Sequence, residues 1–170
     1  MSSAKEVPAA TARAVARKIV AELKPACDRI EVVGSLRRGK PSVHDIDIVL
    51  LPKGHSGPLL ETVLSGLIER GSLTPVRGKD KIRSFVATKT GIPVDIYIAT
   101  GETWATLLLI RTGSKEHNIK LARRALDLGM RLKASGEGIQ GSDGALIKVT
   151  SEDDVFSLLG LGYLRPEERI

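Results

Sequence analysis

Two aspartates, Asp45 and Asp47, are separated by a single apolar residue in the segment GSLRRGKPSVHDID at 34–47. On a β-strand, residues two apart project from the same face, about 6.6 Å from each other. Two carboxylates at this spacing repel each other unless a cation neutralises them, and hard oxygen ligands suit Mg²⁺ or Mn²⁺. The spacing therefore predicts a divalent-metal site, and the alternative is a pair of solvated acids at a strand end.

The same segment begins with a turn that is suited to anions. Gly34 and Ser35 follow an apolar run, so backbone amides and a hydroxyl can approach an anion there. Arg37, Arg38 and Lys40 add positive charge beside the turn. Each feature alone is common on protein surfaces. Together with the two acids, they predict binding of a nucleoside triphosphate with its metal.

A third acid, Asp95, stands between Val94 and Ile96 in a segment otherwise fit for burial in a strand. Aspartate is depleted in strands and costly to bury, and such a cost is typical of functional sites. Phosphoryl transfer at a two-metal site needs a further group to position the attacking hydroxyl. We expect Asp95 to be this group, and the alternative is an acid on an exposed strand face.

Hydrophobic periodicity places the three acids among alternating helices and strands. We expect helices over 9–24 and 57–70, ended by Pro25 and Gly71. We expect strands over 30–33, 46–51, 81–88 and 92–99, the last two forming a hairpin. The order of these elements indicates a sheet with helices packed against it.

The pattern changes after Gly101, where we place a boundary between two lobes, 1–100 and 101–170. Helices are predicted over 103–110 and 115–128, with Thr112 and Ser114 between them as candidate N-caps. The second of these helices is expected to bury Ile119, Ala122 and Leu126 and to expose Lys120, Arg124 and Asp127. Short strands over 130–133 and 145–149 and a helix capped by Thr150 or Ser151 should follow. The fold class is therefore α+β.

Composition narrows the class of protein. The 170 residues are 42% hydrophobic and carry a net charge of +6, which favours an acidic partner such as nucleic acid or else a solvated basic surface. Aromatic residues are only 3%, so stacking platforms for single strands are scarce. The single cysteine, Cys27, excludes an internal disulfide and predicts a buried thiol in an intracellular, cytoplasmic protein. No apolar run approaches the roughly 20 residues of a membrane span, and no signal peptide is expected.

The spacing of the motifs resembles a known family. Gly34-Ser35, then Asp45-x-Asp47 and a later strand acid at Asp95, is similar to nucleotidyltransferases with a DNA polymerase beta type palm. Further motifs resemble family X DNA polymerases in particular: Arg37-Arg38-Gly39, Thr112-Gly113-Ser114 with Asn118, and an ending with Tyr163, Pro166 and Arg169. The resemblance runs from about Ala9 to Ile170.

The resemblance implies a palm at 1–100, built of a mixed sheet with helices on one side, and a small α+β thumb at 101–170. It implies that Asp45, Asp47 and Asp95 hold two Mg²⁺ ions, which Mn²⁺ can replace, and that Asp95 helps to activate the primer 3′-hydroxyl. Gly34, Ser35 and Arg38 would grip the triphosphate. The remaining nucleotide contacts would come from Gly113, Ser114 and Asn118, and from His44, which replaces a usual glycine and could touch phosphate.

Two departures from the family pattern change the expectation. Ile110 and Arg111 stand where the family commonly has two aromatics near the nucleotide sugar, which predicts weak discrimination between dNTP and NTP. Only 33 residues precede Gly34, so the lyase and helix-hairpin-helix modules of larger members are not expected. The chain then resembles the small viral members of the family. We expect it to bind the downstream end of a gap weakly and to act with a separate repair partner such as a ligase.

Four basic residues of the second thumb helix are the candidate DNA contacts: Lys115, Lys120, Arg123 and Arg124. Such contacts to phosphates give salt-sensitive binding with little sequence preference, and the alternative is a solvated helix face. The sequence therefore predicts a monomeric, minimal DNA polymerase acting on primer-template or gapped DNA. The alternatives are a template-independent or non-DNA nucleotidyltransferase and a catalytically silent nucleic-acid-binding module.

Overall fold

A five-stranded mixed sheet forms the centre of the first lobe. The computed structural model describes residues 5–55 and 57–170, so residues 1–4 of the predicted palm and Ser56 lie outside the described residues. The strands are β2 (Cys27–Val32), β4 (Ile46–Pro52), β5 (Leu73–Arg77), β6 (Ile82–Ala87) and β7 (Ile92–Ile98). Their order in space is β2-β4-β7-β6-β5, with β4 and β7 parallel and the other pairs antiparallel. Two short strands, β1 (Val7–Pro8) and β3 (Ser42–Val43), pair separately.

Two helices, α1 (Ala9–Leu23) and α3 (Pro58–Glu69), cover one face of this sheet. The apolar side chains of β4 at Ile46, Ile48 and Leu50 belong to the core that these helices complete. Because side chains alternate along a strand, Asp47 and the residues in step with it face the other way. The expected end of the first helix is confirmed, since α1 stops at Leu23 and a 3₁₀ turn containing Pro25 follows.

The opposite face is covered in part by α4 (Trp104–Thr112). Trp104, Leu107 and Leu108 of this helix pack against the sheet, whereas Ala105, Leu109 and Ile110 belong to the core of the second lobe. Every residue from 104 to 110 is buried, which is the pattern of a helix enclosed between two layers. Helix α4 therefore connects the face that carries the acids to the second lobe.

The second lobe contains α5 (Lys115–Asp127), a three-stranded antiparallel sheet of β8 (Arg131–Leu132), β9 (Ile139–Gln140) and β10 (Leu146–Ile147), and α6 (Glu152–Leu158). A 3₁₀ turn at Pro166–Glu168 follows. Ser114 caps α5 by accepting a hydrogen bond from the amide of His117, and Ser151 forms a capping box with Asp154. Thr112 lies inside α4 and is not a cap. The predicted α+β class is confirmed.

The predicted inward face of α5 was wrong. The helix buries His117, Leu121 and Ala125, whereas Ile119 is 42% and Leu126 63% exposed. Apolar residues form two overlapping stripes on this helix, and packing against Leu109 and Phe156 selects one of them. The predicted exposure is confirmed for Lys120 and Asp127, but Arg124 is half-buried.

Smaller differences concern short elements. Strand β2 begins at Cys27, three residues before the predicted start, and β8 and β10 are shorter than predicted. Strands β5 and β9 and the single helical turn α2 (Gly34–Arg37) were not predicted. Cys27 is a buried free thiol as expected, and burial raises its pKa to about 11. Among the helices of residues 5–55 and 57–170, none has the length and apolar character to span a membrane.

Candidate active site

The three predicted acids converge on the face of the sheet that α4 covers. Asp47 on β4 and Asp95 on β7 are register partners on adjacent parallel strands, so their side chains project side by side. Asp45 comes immediately before β4, and its charge interacts with those of Asp47 and Asp95. The fold thus brings together acids that are 50 positions apart in the sequence.

The acid cluster has an excess of negative charge. Burial, followed by the charges of Asp45 and Asp95, raises the pKa of Asp47 to about 7. The Tyr97 hydroxyl, which donates to Asp47 Oδ1 at 3.3 Å, opposes this rise. The pKa of Asp45 is also raised, by burial and then by Asp95, and the nearby His44 opposes the rise. A cation bound at this site would relieve the repulsion.

The donor chemistry fits Mg²⁺ or Mn²⁺. Within the described part of the chain, no three His, Cys, Asp or Glu side chains form a ready-made metal-ligand set. Mg²⁺ sites that serve triphosphates usually take one or two protein carboxylates, with water and phosphate oxygens as the other ligands. An uncompensated carboxylate cluster without a closed cage is consistent with such a site. Asp45, Asp47 and Asp95 are the residues that would hold the ions.

The Gly-Ser turn lies directly against the acids. Gly34 has φ of 63°, and a Cβ at this position would stand 2.2 Å from Oδ2 of Asp47. Both the backbone conformation and this close approach favour glycine. Helix α2 begins at Gly34, and the first amides of a helical turn have no intrahelical acceptor. Ser35 is partly exposed at the same place, so the turn offers donors beside the carboxylates.

The two arginines of the motif have different partners. Arg38 Nη1 donates to the carbonyl oxygen of Thr112 at 2.5 Å, and its buried Nε has no hydrogen-bond partner among the described residues. Burial lowers the pKa of Arg38, while Asp47, Glu116 and Asp45 act in the opposite direction. The unused Nε is a donor that an anion could satisfy. The contact also joins the Gly-Ser turn to the end of α4.

Arg37 belongs to an ion-pair network that sequence reasoning missed. Its guanidinium donates to both carboxylate oxygens of Glu152, at 2.9 and 2.8 Å, and to the hydroxyl of Thr112 at 2.7 Å. Arg169, which is fully buried, donates to the same carboxylate at 2.6 Å. Burial would raise the pKa of Glu152, but the hydrogen bonds from both arginines outweigh it and lower the pKa. The network ties the motif to α6 and to the carboxyl terminus.

Several predicted nucleotide contacts line one cavity of about 390 Å³ beside the turn between α4 and α5. These residues are Ile110, Arg111, Gly113 and Asn118. The predicted DNA contact Lys115 also lines the cavity, and Ile119, Ala122, Leu132 and Ala134 complete the lining. Asn118 Nδ2 donates to the carbonyl of Ile110 at 2.8 Å, and its Oδ1 is buried without a hydrogen-bond partner in the described structure. The Gly113-Ser114 peptide bond at this turn is cis.

The two residues that replace the family's aromatics are placed differently. Ile110 is only 8% exposed and packs mainly into the core of the second lobe. The guanidinium of Arg111 lies 4.3 Å from the centre of the Tyr97 ring and donates to the carbonyl of Ser135 at 3.2 Å. Tyr97 therefore brings an aromatic ring to this position from the sheet. It was not predicted as a site residue, and the strand pattern alone gave no signal for it.

The basic residues of α5 divide into two groups. Lys115, Lys120 and Arg123 are exposed, as a DNA-contacting role needs. Arg124 is half-buried, and its Nε donates to the carbonyl of Leu159 at 2.9 Å. Arg124 therefore has a structural contact that the sequence did not indicate.

Sequence comparisons show which known proteins the chain is similar to. The sequence model of the DNA polymerase beta thumb matches residues 107–170. The DNA polymerase/3'-5' exonuclease PolX of Bacillus subtilis (strain 168) is 31% identical over 139 residues, covering 80% of this chain and 23% of that protein. DNA polymerase lambda of Rattus norvegicus is 30% identical over 159 residues, covering 80% of this chain and 28% of the relative.

A third relative, DNA nucleotidylexotransferase of Xenopus laevis, is 26% identical over 183 residues, covering 82% of this chain and 36% of that protein. The chain spans about a quarter to a third of the length of these curated relatives. The resemblance read from the motifs is confirmed: the chain is similar to family X DNA polymerases over about 80% of its length, and residues 107–170 match the DNA polymerase beta thumb.

Proposed function

We propose that the chain transfers a nucleoside monophosphate from a (d)NTP to the 3′-hydroxyl of a DNA primer and releases pyrophosphate. The observation that carries the proposal is the pairing of Asp47 with Asp95 on adjacent parallel strands, with Asp45 beside them and Gly34 against Asp47. A carboxylate cluster next to a turn of backbone donors suits a metal-bound triphosphate. The relatives named as DNA polymerases support this reaction.

In the proposed reaction the primer oxygen attacks the α-phosphorus, and the bond from that phosphorus to the bridging oxygen of the pyrophosphate breaks. Two Mg²⁺ or Mn²⁺ ions, when bound, would supply Lewis-acid stabilisation of the developing charge. Asp45, Asp47 and Asp95 would serve as their ligands. Asp95, which shares the same face, also orients the attacking hydroxyl and takes up its proton as the oxygen attacks.

The other proposed contacts come from the Gly-Ser turn, from Arg38 and His44, and from the cavity at the α4–α5 turn. The amides of Gly34 and Ser35 and the unused Nε of Arg38 bind the triphosphate, and the imidazole of His44, next to Asp45 in the sequence, touches a phosphate. The nucleoside lies along the cavity at the α4–α5 turn, where Oδ1 of Asn118 is without a partner in the described structure. Gly113, Ser114 and Arg111 border this cavity or the turn beside it, and the buried Ile110 forms part of its wall.

The two lobes serve as palm and thumb, with the boundary proposed near residue 100. DNA contacts come from Lys115, Lys120 and Arg123 on the exposed face of α5, and Arg124 contributes less because it is hydrogen-bonded within the thumb. These phosphate contacts make binding salt-dependent. We include a monomeric state and an intracellular, cytoplasmic location in the proposal. Gap filling leaves a nick, so a separate ligase partner would complete repair.

One experiment separates this function from its alternatives. A labelled primer is offered alone, with a template, and across a one-nucleotide gap, with Mg²⁺ or Mn²⁺ and each dNTP or NTP in turn. Extension that follows the template base supports a polymerase. Extension of the lone primer supports a template-independent transferase, an alternative that the match to DNA nucleotidylexotransferase keeps relevant. Binding without extension would indicate a silent nucleic-acid-binding module and contradict the proposal.

The same assay tests sugar selection. The proposal includes a weak preference between dNTP and NTP, because no aromatic residue occupies positions 110 and 111. A strong dNTP preference would show that another group restricts the 2′ position. Tyr97, whose ring is held against Arg111, would then be the first residue to replace.

A further inference from the structure

We propose that Ser84 is a positioning residue that fixes the carboxylate of Asp95 for the attacking hydroxyl. Ser84 on β6 and Asp95 on β7 are register partners in an antiparallel pair, so both side chains lie on the face that carries the acids. The Ser84 hydroxyl donates to Asp95 Oδ1 at 2.5 Å. The inference rests on the function proposed above and adds a residue to it.

The sheet holds both partners of this hydrogen bond in place. β7 lies between β4 and β6, and β6 pairs on its other side with β5, so neither strand is at an edge. Ser84 is only 9% exposed, and its one rotatable side-chain bond leaves few alternative positions for the hydroxyl. An O–H donor to a carboxylate at this distance is a strong, charge-assisted hydrogen bond.

Asp95 needs such a support because of its neighbours. The carboxylates of Asp45 and Asp47 repel that of Asp95, and the phenol of Tyr97 lies on the same strand face. A carboxylate is free to turn about its last bond, where the rotational preference is broad. The contact with Ser84 engages Oδ1 and so restricts rotation of the carboxylate, against the repulsion of the other acids.

The hydrogen bond to Asp95 is shorter than the hydrogen bond to Asp47. The Tyr97 hydroxyl reaches Asp47 at 3.3 Å, compared with 2.5 Å from Ser84 to Asp95. Asp95, which is proposed to orient the primer hydroxyl, is therefore held more closely than Asp47. Catalysis is sensitive to small displacements of an orienting group, so the difference has a functional consequence.

The test uses Ser84→Ala, which removes only the hydroxyl, and Ser84→Thr, which restores it. Thr74→Ala is the matched control, since it removes a hydroxyl bonded to Thr88 in the same sheet, away from the acids. Single-turnover and steady-state primer extension are measured for each variant. We expect Ser84→Ala to lower kcat about tenfold with the KM for dNTP within about twofold, a loss typical of a hydrogen bond to a charged group. Ser84→Thr should recover at least half of the lost rate, and Thr74→Ala should match the wild type.

A second measurement does not depend on activity. A double-mutant cycle of Ser84→Ala with Asp95→Ala, measured by urea unfolding without metal, should give a coupling of about threefold or more in the unfolding constant. If the two substitutions show no coupling in the unfolding cycle, the contact between Ser84 and Asp95 is wrong. If they are coupled but Ser84→Ala has an unchanged kcat, the positioning role is wrong. If the wild type does not extend any primer, the proposed function fails and the role of Ser84 in it fails as well, while the cycle still reports the contact. An active wild type with a fully active Ser84→Ala variant overturns this inference alone.

Discussion

Gly34→Ala is the substitution that separates the function of the Gly-Ser turn from its contribution to the fold. A Cβ at Gly34 would stand 2.2 Å from Oδ2 of Asp47, whereas ordinary contacts are about 3.5 Å or more. The obstructing atom is the end of a side chain, so the carboxylate can move away by about 1 Å and the fold can survive. The left-handed backbone, with φ of 63°, adds a strain of roughly 1–2 kcal/mol.

Gly71 provides a matched control. Its φ is 68°, but a Cβ there would meet nothing within 4 Å. Both alanine variants should therefore lose about 1–2 kcal/mol in the free energy of unfolding, measured in urea. In primer extension, Gly71→Ala should stay within about twofold of the wild type. Gly34→Ala should fall by about 100-fold, because a displacement of about 1 Å at a reacting centre has an effect of that size.

Equal extension rates for Gly34→Ala and Gly71→Ala would show that the predicted displacement of Asp47 has no consequence for catalysis. A much larger loss of stability in Gly34→Ala than in Gly71→Ala would show that the carboxylate cannot move aside, and would also contradict the prediction. Crystal structures or NMR spectra of both variants would show whether only Asp47 and its neighbours are affected.

Three further predictions concern stability and DNA binding. Glu152→Gln should lower the free energy of unfolding by about 3 kcal/mol in urea, since it leaves the buried Arg169 without its anion. Glu137→Gln, at an exposed ion pair, should leave the free energy of unfolding nearly unchanged. Similar losses in the two variants would contradict a structural role for the network. Burial, then the charges of Arg169 and Lys120, lowers the pKa of His117 to about 4, below its unfolded value of about 6.5. The unfolded chain therefore takes up the proton first as pH falls, and stability should be lost between about pH 6.5 and 4. His117→Leu should flatten that part of the urea-unfolding profile, and an unchanged slope would assign it to other groups. Arg123→Ala should weaken DNA binding and reduce the salt slope by about one in fluorescence titrations without altering stability, and an unchanged slope would exclude Arg123 from the DNA contacts.

The sequence placed the three acids on or beside strands, and the resemblance to a known family assigned them to one site. We expected Asp45, Asp47 and Asp95 on or beside two strands, because each lies in or next to a β-branched segment. An aspartate is costly to bury in such a segment unless it has a function. Their convergence depends on the parallel pairing of β4 and β7, which no local pattern specifies. The contacts of Ser84 and Tyr97 with the acids depend on the same register, so neither residue could be chosen from the sequence.

The ion-pair network was also beyond local patterns. Arg37 and Glu152 are 115 positions apart and meet only because α4 and α6 pack together beside the Gly-Ser turn. The orientation of α5 failed for a related reason. Its sequence offers two apolar stripes, and the choice between them is made by residues such as Leu109 and Phe156 that lie outside the helix.

Insertion of one nucleotide into a gapped duplex, with Mg²⁺ and the complementary dNTP, is measured for the wild type and for Asp95→Asn. We expect the wild type to extend the primer by one nucleotide. Asp95→Asn should extend it at a rate at least about 1,000-fold lower, with DNA binding and urea unfolding little changed, because only the charge at the reacting centre is removed. Extension by Asp95→Asn at the wild-type rate would exclude Asp95 from the reaction.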